Sequence, residues 1–280
     1  MSLAHAYWSP LVVLAALGCD AASHRTSADA PRARDAPVDA GADARVALFG
    51  RPSDRTGLAA AECRPSCGAC ADLWTARDWP SERVASLGAF ELLEPPLELA
   101  ADPYDAPVPP ARTAVCAVER VDARRYRLRS FDTVAAARAA GAMVTHDGAC
   151  GLCSTLHDLA VYAGIPDLGQ PVRECGVAHQ DLPGNVTCLE ALGFSRPCAQ
   201  IWAYNTRHTR ARCLDVCAAS FLDPYNAPDG TLNPCLACDE RESGPVFKAI
   251  AGRTRRNTGI PNAICRPCSE VIRLEHEYAP

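Results

Sequence analysis

The chain has 280 residues, of which 48% are hydrophobic, and its 28 Lys and Arg stand against 33 Asp and Glu, a net charge of −5. That length allows one large or two small domains with a real core. The acidic balance excludes nucleic acid as a partner, since surfaces that bind it are normally basic. The 16 cysteines point to an oxidising compartment or to metal sites.

Taken from the N-terminus, Leu11 to Asp20 reads LVVLAALGCD, a short apolar stretch ending in small residues. It is too short to span a bilayer as a helix, which takes about 20 residues. Its ALGC, Ala16 to Cys19, resembles the lipobox of bacterial lipoproteins. That resemblance implies a signal peptide over 1–18 and lipid attachment at Cys19. The mature chain would then sit on the extracytoplasmic face of the cell membrane or outer membrane, with the membrane as partner through its lipid. Ala16-x-Gly18 also fits ordinary signal peptidase cleavage, and both readings export the protein.

Residues 19–60 repeat Ala, Asp, Pro and Arg without apolar periodicity, so they are predicted to be a disordered tether. Residues 61–112 read as a cysteine-containing, Pro-rich extension. It holds ECRPSCGAC, with Cys63, Cys67 and Cys70 at the C-x3-C-x2-C spacing that radical-SAM enzymes use for an iron–sulfur cluster. Export and the proline-rich surround argue against a cluster there.

From residue 113 to 280 the pattern predicts a disulfide-stapled α+β domain, a small β-hairpin or sheet followed by a mainly helical half. The segments 114–121 and 125–131 alternate as the two strands of a hairpin. FDTVAAARAAGA reads as a helix with Asp132 as N-cap and Gly141 at its end, and AMVTH as a short strand. DGACGLC then leads into STLHDLAVYAG, a helix with Leu156, Leu159 and Tyr162 on one face, ended by Gly164. VTCLEALGF is a short helix. A long one follows, with Ser195 as N-cap and Pro197 in its first turn, and another is predicted near Val246 to Arg253. In the long helix the aromatics of IWAYN read as core with Asn205 bonded internally, and RHTRARC reads as a solvated face.

Cys213 and Cys217 lie one turn apart on that helix and point outward together. They lack the geometry for a mutual disulfide, so each is expected to bond elsewhere, which makes the helix a stapled hub. CLAC at 235–238 and CRPC at 265–268 have the outline of a zinc ribbon. Outside the cytosol, disulfides are favoured over zinc at Cys235, Cys238, Cys265 and Cys268. The same argument disfavours a metal face built from Cys198, Cys213 and Cys217. No cofactor and no metal is expected.

The candidate chemistry lies in GACGLC, residues 148–153. A thiol at a helix N-terminus feels the macrodipole and the unpaired N–H groups, which lower its pKa. Cys153 is placed for this as nucleophile, with Cys150 as resolving or bridged neighbour. His157 or His146 is the candidate base, and Asp158 an orienting group. The strand–CGLC–helix order resembles thioredoxin-like proteins, although the aromatic strand and cis-proline segment of that family are missing. G-A-C-G-L-C resembles the G-x-C-G-x-C of papain-like proteases, where the first cysteine is bridged and the second attacks. Asp147 and Ser154 depart from that family's glutamine and tryptophan, so its fold is not carried over. The competing expectation is that all these thiols are staples. The block from Thr113 to Ala219 is also similar to uncharacterised cysteine-rich proteins carrying VTH-x-GACG-x-CS-x-x-x-DL-x-VY and IWAYN-x-x-x-TR-x-x-C.

The sequence therefore predicts an exported, lipid-anchored, cysteine-rich cell-envelope protein. Either it carries a reactive, hydrolase- or oxidoreductase-like thiol at Cys153, or it is a non-catalytic binding or structural module. A protein or small-molecule partner is left unspecified. Acylation of Cys19 leaves 15 of the 16 cysteines, an odd number that requires an unpaired thiol or a bond to another chain or a metal.

Overall fold

The computed structural model describes residues 81–280 except 111–112, 166, 228–229, 261, 265, 267–271, 273, 275 and 279–280. The expectations for the signal peptide, Cys19, the tether, and Cys63, Cys67, Cys70, Cys265 and Cys268 lie outside the described residues.

The fold is a disulfide-rich α+β arrangement. Its first elements are helix α1 (Ser81–Leu87) and strands β1 (Glu91–Leu92), β2 (Val115–Arg120) and β3 (Arg125–Phe131). Helix α2 (Val134–Ala139) and strand β4 (Met143–Asp147) complete the sheet region. The sheet order is β1-β3-β2-β4. The predicted hairpin is present: β2 and β3 are antiparallel, with Val115 opposite Phe131 and Arg120 opposite Tyr126. Between β2 and β4 the register shifts, because Cys116 faces His146 but Ala117 faces Val144. Thr145 is therefore an extra residue, and such a bulge re-aims its side chain.

Central strand β2 is buried from Val115 through Val118 because both of its faces are covered. Val115 and Ala117 pack with Phe131, Ala137 and Ala142 under α2, while Val118 joins the main core. Helix α2 is capped by Thr133, whose side chain accepts from the Ala136 N–H, one residue beyond the predicted cap Asp132.

The helical half comprises α3 (Leu156–Gly164), α4 (Gly169–Ala178), α5 (Leu182–Ala191) and α6 (Arg196–Ala219). Helices α7 (Pro234–Glu242), α8 (Gly244–Ala251) and the short α9 (Arg255–Thr258) follow. Leu156, Leu159 and Tyr162 are buried on one face of α3, as their spacing predicts, and pack with Leu189, Phe194, Ile201 and Phe247. Among the described residues, no helix is long and apolar enough to cross a membrane.

Helix α6 is the stapled hub. Cys198 in its first turn bonds to Cys153, Cys213 bonds to Cys238, and Cys217 bonds to Cys235. The last two bridges run in antiparallel order and pin α7 against the C-terminal half of α6. They remove Cys235 and Cys238 from any zinc site, and with Cys198 bonded as well the alternative metal face on α6 is gone. The remaining two bridges are Cys116–Cys150 and Cys175–Cys188.

The proline-rich extension runs along this hub. Leu99 N–H donates to Gln200 Oε1 at 2.8 Å, and Arg196 pairs with Glu98 at 2.9 Å. A 3₁₀ turn, Pro103–Asp105, carries Tyr104, whose ring stacks on His208 at 4.2 Å. The Tyr104 hydroxyl donates to Asn205 Oδ1 at 2.7 Å.

Candidate functional site

The loop GACGLC sits where sheet and helices meet. Gly148, at φ 91°, turns the chain out of β4, and its N–H donates to the Ala114 carbonyl at 2.8 Å. Positive φ is a conformation that only glycine adopts freely. The loop then lies against the end of α8, with Leu152 N–H donating to the Ile250 carbonyl and Cys153 N–H to the Ala251 carbonyl, each at 2.9 Å. Gly151 is required by this contact, since a Cβ there would lie 2.4 Å from the Ile250 oxygen.

Both thiols of the motif are spent. Cys150 is bonded to Cys116 of β2, and Cys153, with 0% of its surface exposed, is bonded to Cys198 of α6. Cys153, the candidate nucleophile, is thus placed in a disulfide and carries no free thiol in this arrangement. Its helix also begins later than the argument required, because Thr155 is the N-cap and Leu156 the first helical residue. Cys153 stands before the cap, outside the turn where the helix dipole acts.

The other candidate residues do not converge on a thiol. His146 is fully buried, with Nε2 2.7 Å from Ser154 Oγ and Nδ1 2.8 Å from the Asp147 carbonyl oxygen. Because only a protonated Nδ1 can donate to that carbonyl, Nε2 is the acceptor for the Ser154 hydroxyl. Ser154 Oγ in turn accepts from the Gly151 N–H at 2.8 Å. Burial, reinforced by the Arg253 charge, pushes the His146 pKa well down, so the ring is neutral.

His157 is exposed on α3. Asp158 is buried and does not orient it. Its carboxylate accepts from the Thr155 hydroxyl at 2.6 Å and from the Ser195 N–H and hydroxyl at 2.8 Å each. It therefore ties the start of α3 to the start of α6. This explains why Ser195 stands at the N-cap of α6 without a side-chain capping bond. Burial raises the Asp158 pKa, and the Thr155 and Ser195 hydrogen bonds oppose that rise.

Arg253 is the residue that sequence reasoning missed at this junction. It is 0% exposed, and its guanidinium donates to the carbonyls of Cys153 at 3.0 Å, Thr145 at 3.1 Å and Ser154 at 2.9 Å. It also donates to the Thr145 hydroxyl at 2.8 Å, which the β4 bulge delivers. Its five N–H donors in a rigid fork suit several acceptors at once. Burial pulls its pKa down. Nothing in the local sequence signals this role, since the acceptors lie about a hundred residues away.

A second, open site lies between α4, α6, α7 and α8. It is a cleft of about 440 Å³. Its floor includes Trp202 and Phe247, with ring centroids 4.5 Å apart, and Tyr162, whose hydroxyl accepts from Trp202 Nε1 at 3.1 Å. On its α7 wall Asp239 accepts from Asn205 Nδ2 at 3.1 Å and from the Thr209 hydroxyl. Burial raises the Asp239 pKa against those hydrogen bonds. Glu240 accepts from Lys248 at 2.8 Å, Arg256 at 2.7 Å and Arg266 at 2.8 Å. Burial alone would raise Glu240, but Arg266, Arg256 and Lys248 outweigh it and hold the carboxyl at about 2. The segment read as a solvated face, RHTRARC, is thus divided. Arg207 pairs outward with Asp102 while Thr209 and Arg210 line the cleft. Among the described residues, no group of three or more His, Cys, Asp and Glu is arranged to hold a metal ion.

Fold and sites together define a disulfide-stapled α+β module. Residues 183–274 match a family of unknown function, DUF8771, a stretch that begins within α5 and takes in α6 to α9. No curated protein and no solved structure matches the chain.

Proposed function

We propose that the protein is an exported, non-catalytic binding module of the cell envelope, held at the membrane by lipid on Cys19. The observation that carries the reading is the state of the thiols. All ten described cysteines are in five disulfides, including both members of GACGLC. Disulfides of this density belong to oxidising, extracytoplasmic compartments. A closed, bonded Cys153 has no thiolate to attack a substrate. The anchor rests on the ALGC stretch ending at Cys19.

The test is alkylation of the mature, unreduced protein in denaturant, followed by peptide mapping. The expected result is no label on any of the ten bridged cysteines. A labelled Cys153 would return the protein to the enzyme class and sink the binding-module reading. The anchor is tested separately by intact mass and detergent partitioning of the wild type and Cys19→Ser. The wild type is expected in the detergent phase with acyl mass at its N-terminus, and the variant in the aqueous phase. An unmodified Cys19 in a protein that stays in the aqueous phase would remove the anchor.

A further inference from the structure

The cleft between α4, α6 and α7 has features that a structural gap does not need. Its volume of about 440 Å³ falls in the range of small-molecule sites, roughly 300–1,000 Å³. Its floor is aromatic and aliphatic. Around its mouth stand Val177, Leu214 and Phe221, which are 62%, 58% and 49% exposed. The Arg173 guanidinium lies over the Phe221 ring, 5.4 Å from its centroid, and over Tyr225 at 5.7 Å, while Val177 and Leu214 stand in water. Exposed apolar side chains gathered around one opening mark a surface that something apolar covers.

The charge in the cleft runs against that of the chain. The whole protein carries −5, yet the lining holds six cationic side chains and two carboxylates. Both carboxylates are occupied, Asp239 by Asn205 and Thr209, Glu240 by its three cations. Arg173 and Arg210 stand on the α4 and α6 sides. Arg173 Nη1 donates to the Phe221 carbonyl at 3.2 Å, and Arg210 donates to the Gly176 carbonyl. Among the described residues neither meets a carboxylate, and each guanidinium has five donors. The result is a positive rim beside an apolar trough.

We infer that this cleft binds a monomeric amphipathic organic anion, an aliphatic carboxylate whose chain lies over Trp202 and Phe247 and whose head meets Arg173 and Arg210. The inference rests on the binding-module reading and names its ligand class. An uncharged alcohol of the same chain would fill the trough but leave the guanidinium donors without an anion. A cationic amphiphile would be repelled by the rim.

The experiment is titration calorimetry on the full mature chain with dodecanoate and dodecyltrimethylammonium below their micelle concentrations and dodecanol below its solubility limit. Dodecanoate is expected to bind one to one, and the other two at least about tenfold more weakly. Arg173→Gln and Arg210→Gln should each weaken dodecanoate about tenfold and leave dodecanol unchanged. Should those variants fold poorly, Leu214→Glu places a negative charge on an exposed position of the rim and should weaken dodecanoate in the same way. Equal affinity for all three amphiphiles would overturn the inference, as would no binding of dodecanoate at millimolar concentration. Binding only to phosphatidylglycerol vesicles, with none to dodecanoate, would make the rim a membrane contact and overturn it too. None of these outcomes reopens a thiol. A labelled Cys153 would defeat the binding-module reading whatever dodecanoate does.

Discussion

At the GACGLC junction every polar group named above closes on another inside the protein; in the cleft between α4, α6 and α7 the carboxylates do so too, but the half-buried Arg173 and Arg210 do not. The junction brings two disulfides, a neutral histidine, a serine and an arginine together, and each donor there ends on an acceptor inside the protein. The cleft is lined by two guanidinium groups, each with one hydrogen bond to a carbonyl, and Arg173 also lies over the Phe221 and Tyr225 rings. The contrast separates two uses of polar chemistry. A network with every partner inside is a structural joint, whatever motif it spells. Donors with spare capacity beside exposed apolar surface are the feature on which the proposed binding rests.

The largest break in that comparison comes from Arg253→Met. The substitution removes the cost of burying a charge but orphans the carbonyls of Thr145, Cys153 and Ser154. Each orphaned acceptor costs about 1–3 kcal/mol, so a loss of about 5 kcal/mol is expected. Denaturant midpoints of wild type and variant measure it. A loss below about 1 kcal/mol would mean that the junction is not closed as described.

Next comes Cys153→Ala. The bridge it breaks spans 45 residues, for which loop-closure entropy gives roughly 4 kcal/mol. The matching Cys198→Ala should cost the same, and the double variant no more than either alone. An additive double variant would show that the two sulfurs are not bonded to each other.

Acid gives a smaller effect with a definite sign. Burial, opposed only by the Thr258 carbonyl, holds His276 down at about 3, against 6.5 for an ordinary histidine. Between those values the unfolded chain binds a proton that the folded one refuses, so stability falls as pH falls from about 6.5 towards 3. His276 alone should remove about 2 kcal/mol by pH 5, and His146 acts in the same direction. Asp158 and Asp239, raised by burial, act oppositely, since acid relieves the cost of their charge. Thermal melts of wild type and His276→Gln across pH 4 to 7 should differ in slope, the variant being the flatter. Equal slopes would mean that His276 is not held neutral.

How much of this was legible depended on distance along the chain. The hairpin, the long helix from Ser195 and the separate partners of Cys213 and Cys217 followed from local periodicity, which both helix and strand geometry impose. The apolar face of Leu156, Leu159 and Tyr162 was legible for the same reason. The pairing of Cys153 with Cys198 was not, because a helix N-terminus and a C-x-x-C spacing are equally compatible with a reactive thiol and a buried staple. Asp158 looked like an orienting group beside His157, yet successive helical residues point about 100° apart, and its partner was Ser195. The cleft was invisible in the sequence. Arg173 and Arg210 belong to different helices, which approach closely where Gly176 packs against Thr206.

The smallest effect tests whether GACGLC retains any chemistry. His157 is exposed on α3, one residue before a carboxylate already committed to Thr155 and Ser195. An exposed side chain away from such networks changes stability by less than about 0.5 kcal/mol on truncation. His157→Ala should therefore leave the melting temperature, the dodecanoate affinity and the alkylation pattern of the unreduced protein as they are in the wild type. Its value lies in the contrast with Cys153→Ala, four residues away in sequence and roughly 4 kcal/mol away in consequence. If His157→Ala changed the reactivity of any cysteine in 148–153, the imidazole would be acting on a thiol that the closed junction does not contain. The line between joint and binding site would then have to be redrawn on the other side of the motif.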